Sequence, residues 1–289
     1  MTELAQTLLN GLLLGANYAL LALSYTLVFG VLRLLTLAHG QIFMAAGLVA
    51  LVAADRQGLP LIVTGLVAIV VGASLGVATD LFAFRPVGLG RPIAAAVATI
   101  GFALVIENTA LQLRGSSTAV ALREPLPAPD LVLGPFLLST VQLFILAIAA
   151  VVMVATNAFV DRSRWGMAMR ALAESPRLLP LLGIPVGRIT VLTLAISGAL
   201  AGLASFLVAL RNGSVSPLAG TDIGLVGLAI MTIGGLGSLP GAMVAGIGLG
   251  IVEAFASSIG VGTFQSAVPW LLLVLILLVR PHGILGKPE

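Results

Sequence analysis

The chain has 289 residues, 59% of them apolar, and its 14 Lys+Arg and 11 Asp+Glu make it only 9% charged with a formal net charge of +3. An average soluble domain of this length carries about 70 charged side chains, so a water-soluble globule is excluded, and the apolar content equally excludes a disordered chain. Cysteine is absent, which removes disulfides, thiol redox chemistry and Cys–zinc sites, and no basic stretch resembles a nucleic-acid surface. This is the composition of an integral membrane protein.

Run length sets the class. Val191 to Leu210 carries no charge over about 20 residues, enough at ~1.5 Å rise per residue to cross a hydrocarbon core of ~30 Å. Such runs are apolar on every face, where a barrel strand would alternate. The expected fold is an all-α polytopic membrane protein of about eight or nine transmembrane segments with two broken or re-entrant regions. In chain order the spans fall near 8–30, 40–54, 61–83, 92–113, 137–160, 189–210, a broken pair at 221–234 and 240–259, and 265–279. The first run has no basic region before it and meets its first positive charge at Arg33, so it reads as a span rather than a cleavable signal.

One set of connections holds Arg33, Arg85, Arg91, Arg162, Arg164, Arg170, Arg177, Arg188, Arg280 and Lys287; the other holds Arg56, Arg114, Arg123 and Arg211. The excess of positive charge places the first set in the cytoplasm, with the N-terminus outside and the tail inside. The cytoplasmic connection 161–188 reads DRSRWGMAMRALAESPRLLPLLGIPVGR. Helix formers from Trp165 to Ala173 are interrupted at Glu174-Ser175-Pro176, and Leu178 to Leu182 is apolar again before Gly183. Such a segment either presses against another protein or lies on anionic lipid, and composition leaves both open.

Two stretches break the helical pattern: RLLTLAHGQ from Arg33 to Gln41, and GGLGSLPG from Gly234 to Gly241. Irregular backbone cannot face lipid, because unsatisfied N–H and C=O groups are costly there, whereas buried or cavity-lining positions tolerate it. Short segments flanking glycine-rich breaks are a sequence pointer to a substrate path. Thr36, His39, Gly40 and Gln41, with Gly234, Gly235, Gly237 and Ser238, are therefore candidate path residues, expected to approach one another at comparable depth. A tight cytoplasmic turn is the alternative for each break.

His39 either relays a proton or binds a ligand, or satisfies backbone groups freed by the break. Glu107 and Glu253 stand inside apolar runs, where an ionised carboxylate costs about 2.5–3.5 kcal/mol at the bilayer centre, so each is part of a path, a proton site, or a structural hydrogen bond to a neighbouring helix near the outer interface. Asp80 is expected to pair with Arg85 at a membrane edge. Small-xxx-small spacing at Gly11/Gly15, Gly72/Gly76, Gly198/Gly202 and Gly246/Gly250 points to close helix contacts. No phosphate-binding loop, H-E-x-x-H or G-x-S-x-G is present, and no acidic or histidine partner stands near His39 at metal-ligand spacing. No enzymatic activity, cofactor or metal is expected of this chain.

Five stretches carry a family resemblance: NGLLLGANYALLALSYTLVFGVLRLLTLAHG, FRPVGLGRPIAAAVATIGFALVIEN, WGMAMRALAESPRLLPLLGIPVGR, GLAIMTIGGLGSLPGAMVAGIGLGIVEA and RPHGILG. In this order they resemble the permease subunits of the high-affinity branched-chain amino acid ABC importers of bacteria, the Liv type. Thr36, Gln41, Pro176 and Pro180 depart from the family's usual residues. The resemblance implies one permease domain spanning residues 1–289, set in lipid in the bacterial inner membrane. It further implies a second homologous permease, two cytoplasmic ATPases that use the ATP, and a periplasmic or extracellular solute-binding protein, with no nucleic acid. Arg170, Ala171, Glu174, Gly183 and Ile184 are then the candidate residues coupling to the ATPase. Relatives of this architecture also import urea, short amides and other amino or organic acids. The rival reading is a stand-alone channel or secondary transporter.

Overall fold

The computed structural model describes residues 2–88, 90–114, 118–121, 131–133, 136–176, 179–258 and 266–286. Arg123, Arg177, Leu178 and Lys287 lie outside the described residues. The helices are α1 (Thr2–Leu32), α2 (His39–Gln57), α3 (Leu61–Thr79), α4 (Pro92–Arg114), α5 (Thr140–Arg162), α6 (Arg164–Glu174), α7 (Val186–Asn212), α8 (Ala219–Gly234), α9 (Leu239–Ser258) and α10 (Val268–Val279). Six of them, α1, α3, α4, α5, α7 and α9, have the length and apolarity to cross a membrane unaided. The 19-residue α2 and the shorter apolar helices α8 and α10 complete the bundle, in keeping with eight or nine segments.

Helices α1 and α7 form the centre. Their spans are 78% and 67% buried, against 22–28% for α3, α4 and α5, which turn side chains such as Val70, Leu104 and Val154 outward. Two close crossings hold the bundle. Gly11 and Gly15 of α1 lie against Ile251 and Ile247 of α9, where a Cβ on either glycine would come to 2.7 Å from a Cα. Gly246 of α9 meets Ala19, and Gly250 meets Gly15. Gly72 and Gly76 of α3 likewise face Gly198 and Leu194 of α7, and Gly202 faces Ala68. Apolar side chains gain little from moving out of lipid, so van der Waals contact along such backbone-to-backbone seams replaces the hydrophobic drive of a soluble core.

Both crossings are antiparallel, and following the chain from them puts Arg33, Arg85, Arg91, Arg162, Arg164, Arg170, Arg188 and Arg280 at one end of the bundle. Arg56, Arg114 and Arg211 mark the other. The first end is the cytoplasmic one by its positive charge. At that end α3 passes through a π-helical turn, Asp80–Phe84, and Arg85 Nε donates to the buried Asp80 carboxylate at 2.6 Å, the expected charge pair. At the outer end the fold departs from a purely helical one. Val120–Ala121 (β1) pairs antiparallel with Ser214–Val215 (β4), and Leu131–Leu133 (β2) with Phe136–Leu138 (β3). Ladder bonds give the backbone of the long outer connection the partners that a helix would otherwise supply.

Candidate functional site

The first break is a re-entrant segment. Helix α1 ends at the cytoplasmic side with Arg33 in a left-handed conformation (φ 55°), its amide bonded to Phe29 O at 2.9 Å. A non-glycine residue there is uncommon and reverses the chain sharply. Residues 34–38 climb back into the bundle, and the Leu37 amide donates to Thr99 Oγ1 at 3.1 Å. Helix α2 then starts at His39, beside Ser197 of α7. Ser197 stands eleven residues beyond the start of α7, about 16 Å up the helix. Helix α2 therefore begins in the interior of the membrane.

His39 is fully buried. Its Nε2 is hydrogen-bonded to Ser197 Oγ, its Nδ1 lies 3.4 Å from Thr36 Oγ1, and its ring packs 5.1 Å from that of Tyr25 at a 45° tilt. These partners join three helices across the break. The Tyr25 hydroxyl points to the start of α2 and α8, where a Cβ on Gly224 would come 3.0 Å from it. A Cβ on Gly40 would strike Gly220 O and come 2.7 Å from Gly224 Cα, so the start of α2 abuts the start of α8. Two helices thus begin side by side at mid-depth, neither with a side-chain N-cap.

Next to this contact is a polar cluster. Gln41 is 4% exposed; its Nε2 donates to Glu107 Oε2 at 2.8 Å and to Thr221 Oγ1 at 3.0 Å. Its Oε1 is buried without a partner among the described residues. Glu107 is half-buried, and Thr221 and Asp222 are exposed on the protein surface. Carboxylates at this depth do not face lipid, so this face is covered by protein or water in the membrane.

The second break lies elsewhere. Gly234 and Gly241 close against each other in the turn between α8 and α9, where the Ser238 hydroxyl accepts from the Gly241 amide at 3.2 Å. Gly237 touches Gly30, near the cytoplasmic end of α1. The C-terminal segment folds over the turn: Ile284 and Leu285 amides donate to Ile233 O at 2.9 Å and Gly234 O at 3.1 Å, and Gly235 faces Gly286. The expectation that the two breaks meet at one depth is corrected by this arrangement. Thr36, His39, Gly40 and Gln41 sit at mid-depth, whereas Gly234, Gly235, Gly237 and Ser238 form a cytoplasmic turn. The chain segment that meets the first break is 220–224, whose glycines were unremarkable against so glycine-rich a background.

At the cytoplasmic surface, Ser163 caps α6 by accepting from the Gly166 amide at 2.8 Å, and α6 seats Met169 and Leu172 inward. Trp165, Met167 and Leu181 are exposed at 50%, 62% and 81%, and Glu174 and Gly183 are exposed with them. Ala171 and Ile184 are half-buried against the core. Arg170, exposed on the same surface, turns one guanidinium nitrogen back to donate to the Val160 carbonyl and so ties α6 to the end of α5. Gly183 is left-handed (φ 71°) with open space around it.

Glu253, buried in α9, lies within electrostatic reach of Tyr18 of α1 and of Arg211. Beside them is an outer cleft of about 460 Å³ lined in part by Asn10, Arg211 and Ser257. Tyr18 and Tyr25, the chain's two tyrosines, were both missed by sequence reasoning. Two phenols seven residues apart on one long helix were the available signal. Ser197, Thr99 and Thr221 carried none.

A polytopic helical bundle in which two helices start inside the membrane is the architecture of a membrane transport subunit. The fold is shared with a solved ABC transporter of metal-chelate type in an inward-facing conformation, at TM-score 0.55 and 17% identity, covering 97% of this chain and 87% of that one. Residues 7–278 match the family described as branched-chain amino acid transport system / permease component. The chain is 34% identical over 297 residues to the high-affinity branched-chain amino acid transport system permease protein BraD of Pseudomonas aeruginosa, covering 98% of this chain and 96% of BraD. It is also 34% identical over 302 residues to the corresponding protein LivH of Escherichia coli, with the same coverage. The chain belongs to this permease family and is a multi-pass protein of the bacterial inner membrane.

Proposed function

We propose that this chain is a membrane subunit of an ATP-driven importer and forms part of the path for branched-chain or closely related amino acids. The observation that carries the reading is the paired start of α2 and α8 at mid-depth, with Gln41, Glu107 and Thr221 beside it. It offers polar groups in the membrane without a charged cage, and so passes a solute without holding it. A second homologous permease covers the exposed face that carries Thr221 and Asp222. A solute-binding protein docks at the outer end. Two ATPases bind below and use the ATP, and this chain itself catalyses no reaction and holds no cofactor. The exposed Trp165, Met167 and Leu181, with Glu174 and Gly183, form the surface on which an ATPase presses. Movement of α6 reaches the path through α5 and α7, against which α6 packs, a differential-contact route to alternating access.

The test is uptake of radiolabelled leucine by proteoliposomes that hold the assembled complex and its loaded binding protein. Met167→Glu, or Gly183→Leu at its left-handed site, should lower uptake by about tenfold relative to ATP hydrolysis while the membrane part stays folded. Uptake by the wild-type complex that is independent of ATP would refute the importer reading. Full coupling in both variants would refute the docking surface.

A further inference from the structure

The cluster around Gln41 has an acceptor geometry that the bundle itself does not use. Glu107 stands in an apolar stretch of α4, where an ionised carboxylate must be compensated. Among the described residues the compensation is an amide N–H from Gln41, 2.8 Å from Oε2. The other end of the same amide, Oε1, is a buried acceptor lacking any donor among the described residues. A buried acceptor left unmatched costs about 1–3 kcal/mol, so its retention next to a carboxylate calls for a donor that comes and goes. Thr221 Oγ1, 3.0 Å from Gln41 Nε2, adds a third oxygen. The wall opposite Oε1 is Gly220, which packs so closely that a Cβ there would collide with Gln41 Oε1, so a donor reaches this oxygen only when α8 moves aside. Helices α2 and α8 meet here through Gly40, Gly220 and Gly224, with Gln41 packed on Gly220 and Tyr25 on Gly224.

Resting on the importer reading above, we propose that Glu107, aimed by Gln41, is a transient recognition point for the positively charged amino group of the solute. A primary ammonium carries three N–H donors and no acceptor. Glu107 Oε, Gln41 Oε1 and Thr221 Oγ1 supply one carboxylate and two neutral acceptors within one cluster. The station selects a solute bearing an ammonium over a neutral solute of similar size. It binds weakly because two of its three acceptors are uncharged and α8 must move to admit the ligand.

Two measurements test this, one without transport. In the first, the purified chain is treated with a hydrophobic carbodiimide, and modification of Glu107 is followed by peptide mass spectrometry. Leucine and isoamylamine, at about twice their dissociation constants, should each slow labelling about threefold. 4-Methylvalerate, which is leucine without its amino group, should leave it unchanged. Protection by none of the three, or by all alike, overturns the assignment whether or not the chain imports anything. In the second, Glu107→Gln in the reconstituted complex should lower the maximal uptake rate about tenfold with the half-saturating concentration of binding protein unaltered, and Glu107→Asp should recover most of it. A merely structural Glu107 gives the opposite order: Gln, which keeps the length and one oxygen, transports normally, and Asp, which cannot reach, does not. Failure of the wild-type complex to import leucine counts against the importer reading, and the labelling result then decides the ammonium site by itself.

Discussion

Replacing Gly198 by alanine probes whether the α3–α7 seam holds the bundle together. The new Cβ would come 2.9 Å from Gly72 C and 3.1 Å from Gly76 Cα, with Gly72 O closer still. Carbon atoms prefer about 3.5–4.0 Å, and the obstructing atoms are helix backbone, so the two helices must part by roughly 1 Å. Overpacking of this kind costs about 1–3 kcal/mol. Alanine's better helix propensity returns about 1 kcal/mol at most, and separation also forfeits dispersion contacts along the seam. The net loss is about 1–2 kcal/mol, a roughly 5–30-fold fall in the ratio of folded to unfolded protein. Gly248→Ala on α9 is the matched control, because nothing lies within 4 Å of its Cβ; it should stabilise by up to about 1 kcal/mol. Equilibrium unfolding in mixed micelles with increasing dodecyl sulfate, followed by circular dichroism, measures both. A Gly198→Ala protein as stable as the wild type, or changes of the same sign in the two variants, would refute the reasoning.

Gly235→Leu should act on the C-terminal segment, because a Cβ there would sit 2.6 Å from Gly286 Cα and the glycine has φ 107°. The expected result is faster proteolytic cleavage after residue 280 with the transmembrane fragments intact; unchanged cleavage would show that the segment is not held by this turn. Orientation is open to single-cysteine labelling in this cysteine-free chain. Asn212→Cys should react with an impermeant maleimide in intact cells, and Ser175→Cys only after lysis. The reverse pattern would place the basic end outside and remove the docking surface from the ATPase side.

The class of fold and most element boundaries were legible in the linear chain, because in a membrane the solvent imposes one rule: about 20 apolar residues make a span, and irregular backbone must be protected. The span expected near 61–83 became α3 (Leu61–Thr79) with its π-helical turn, and that near 92–113 became α4 (Pro92–Arg114). The break at 33–41 was readable for the same reason, as polar residues between two apolar runs. The segment at 161–188 was readable as a helix cut at Glu174-Ser175-Pro176, and α6 ends at Glu174.

Depth and partnership were not readable, since both depend on contacts between residues far apart in the chain. The glycine spacings announced close crossings without saying that Gly72 belongs with Gly198, or Gly15 with Gly250. His39 and Ser197 are 158 residues apart, and Gln41 and Thr221 are 180 apart. The Gly234–Gly241 turn carries the same glycine-rich signature as a re-entrant loop, yet it lies at the cytoplasmic end, covered by the tail. Local hydropathy and backbone hydrogen bonding settle, along the linear chain, that the protein is a helical membrane bundle, where its helices break and which end is basic. Tertiary structure alone decided that α2 and α8 start side by side within the membrane and that Gln41 reaches Glu107, because only the crossing of helices on glycine sets the height at which two distant residues meet.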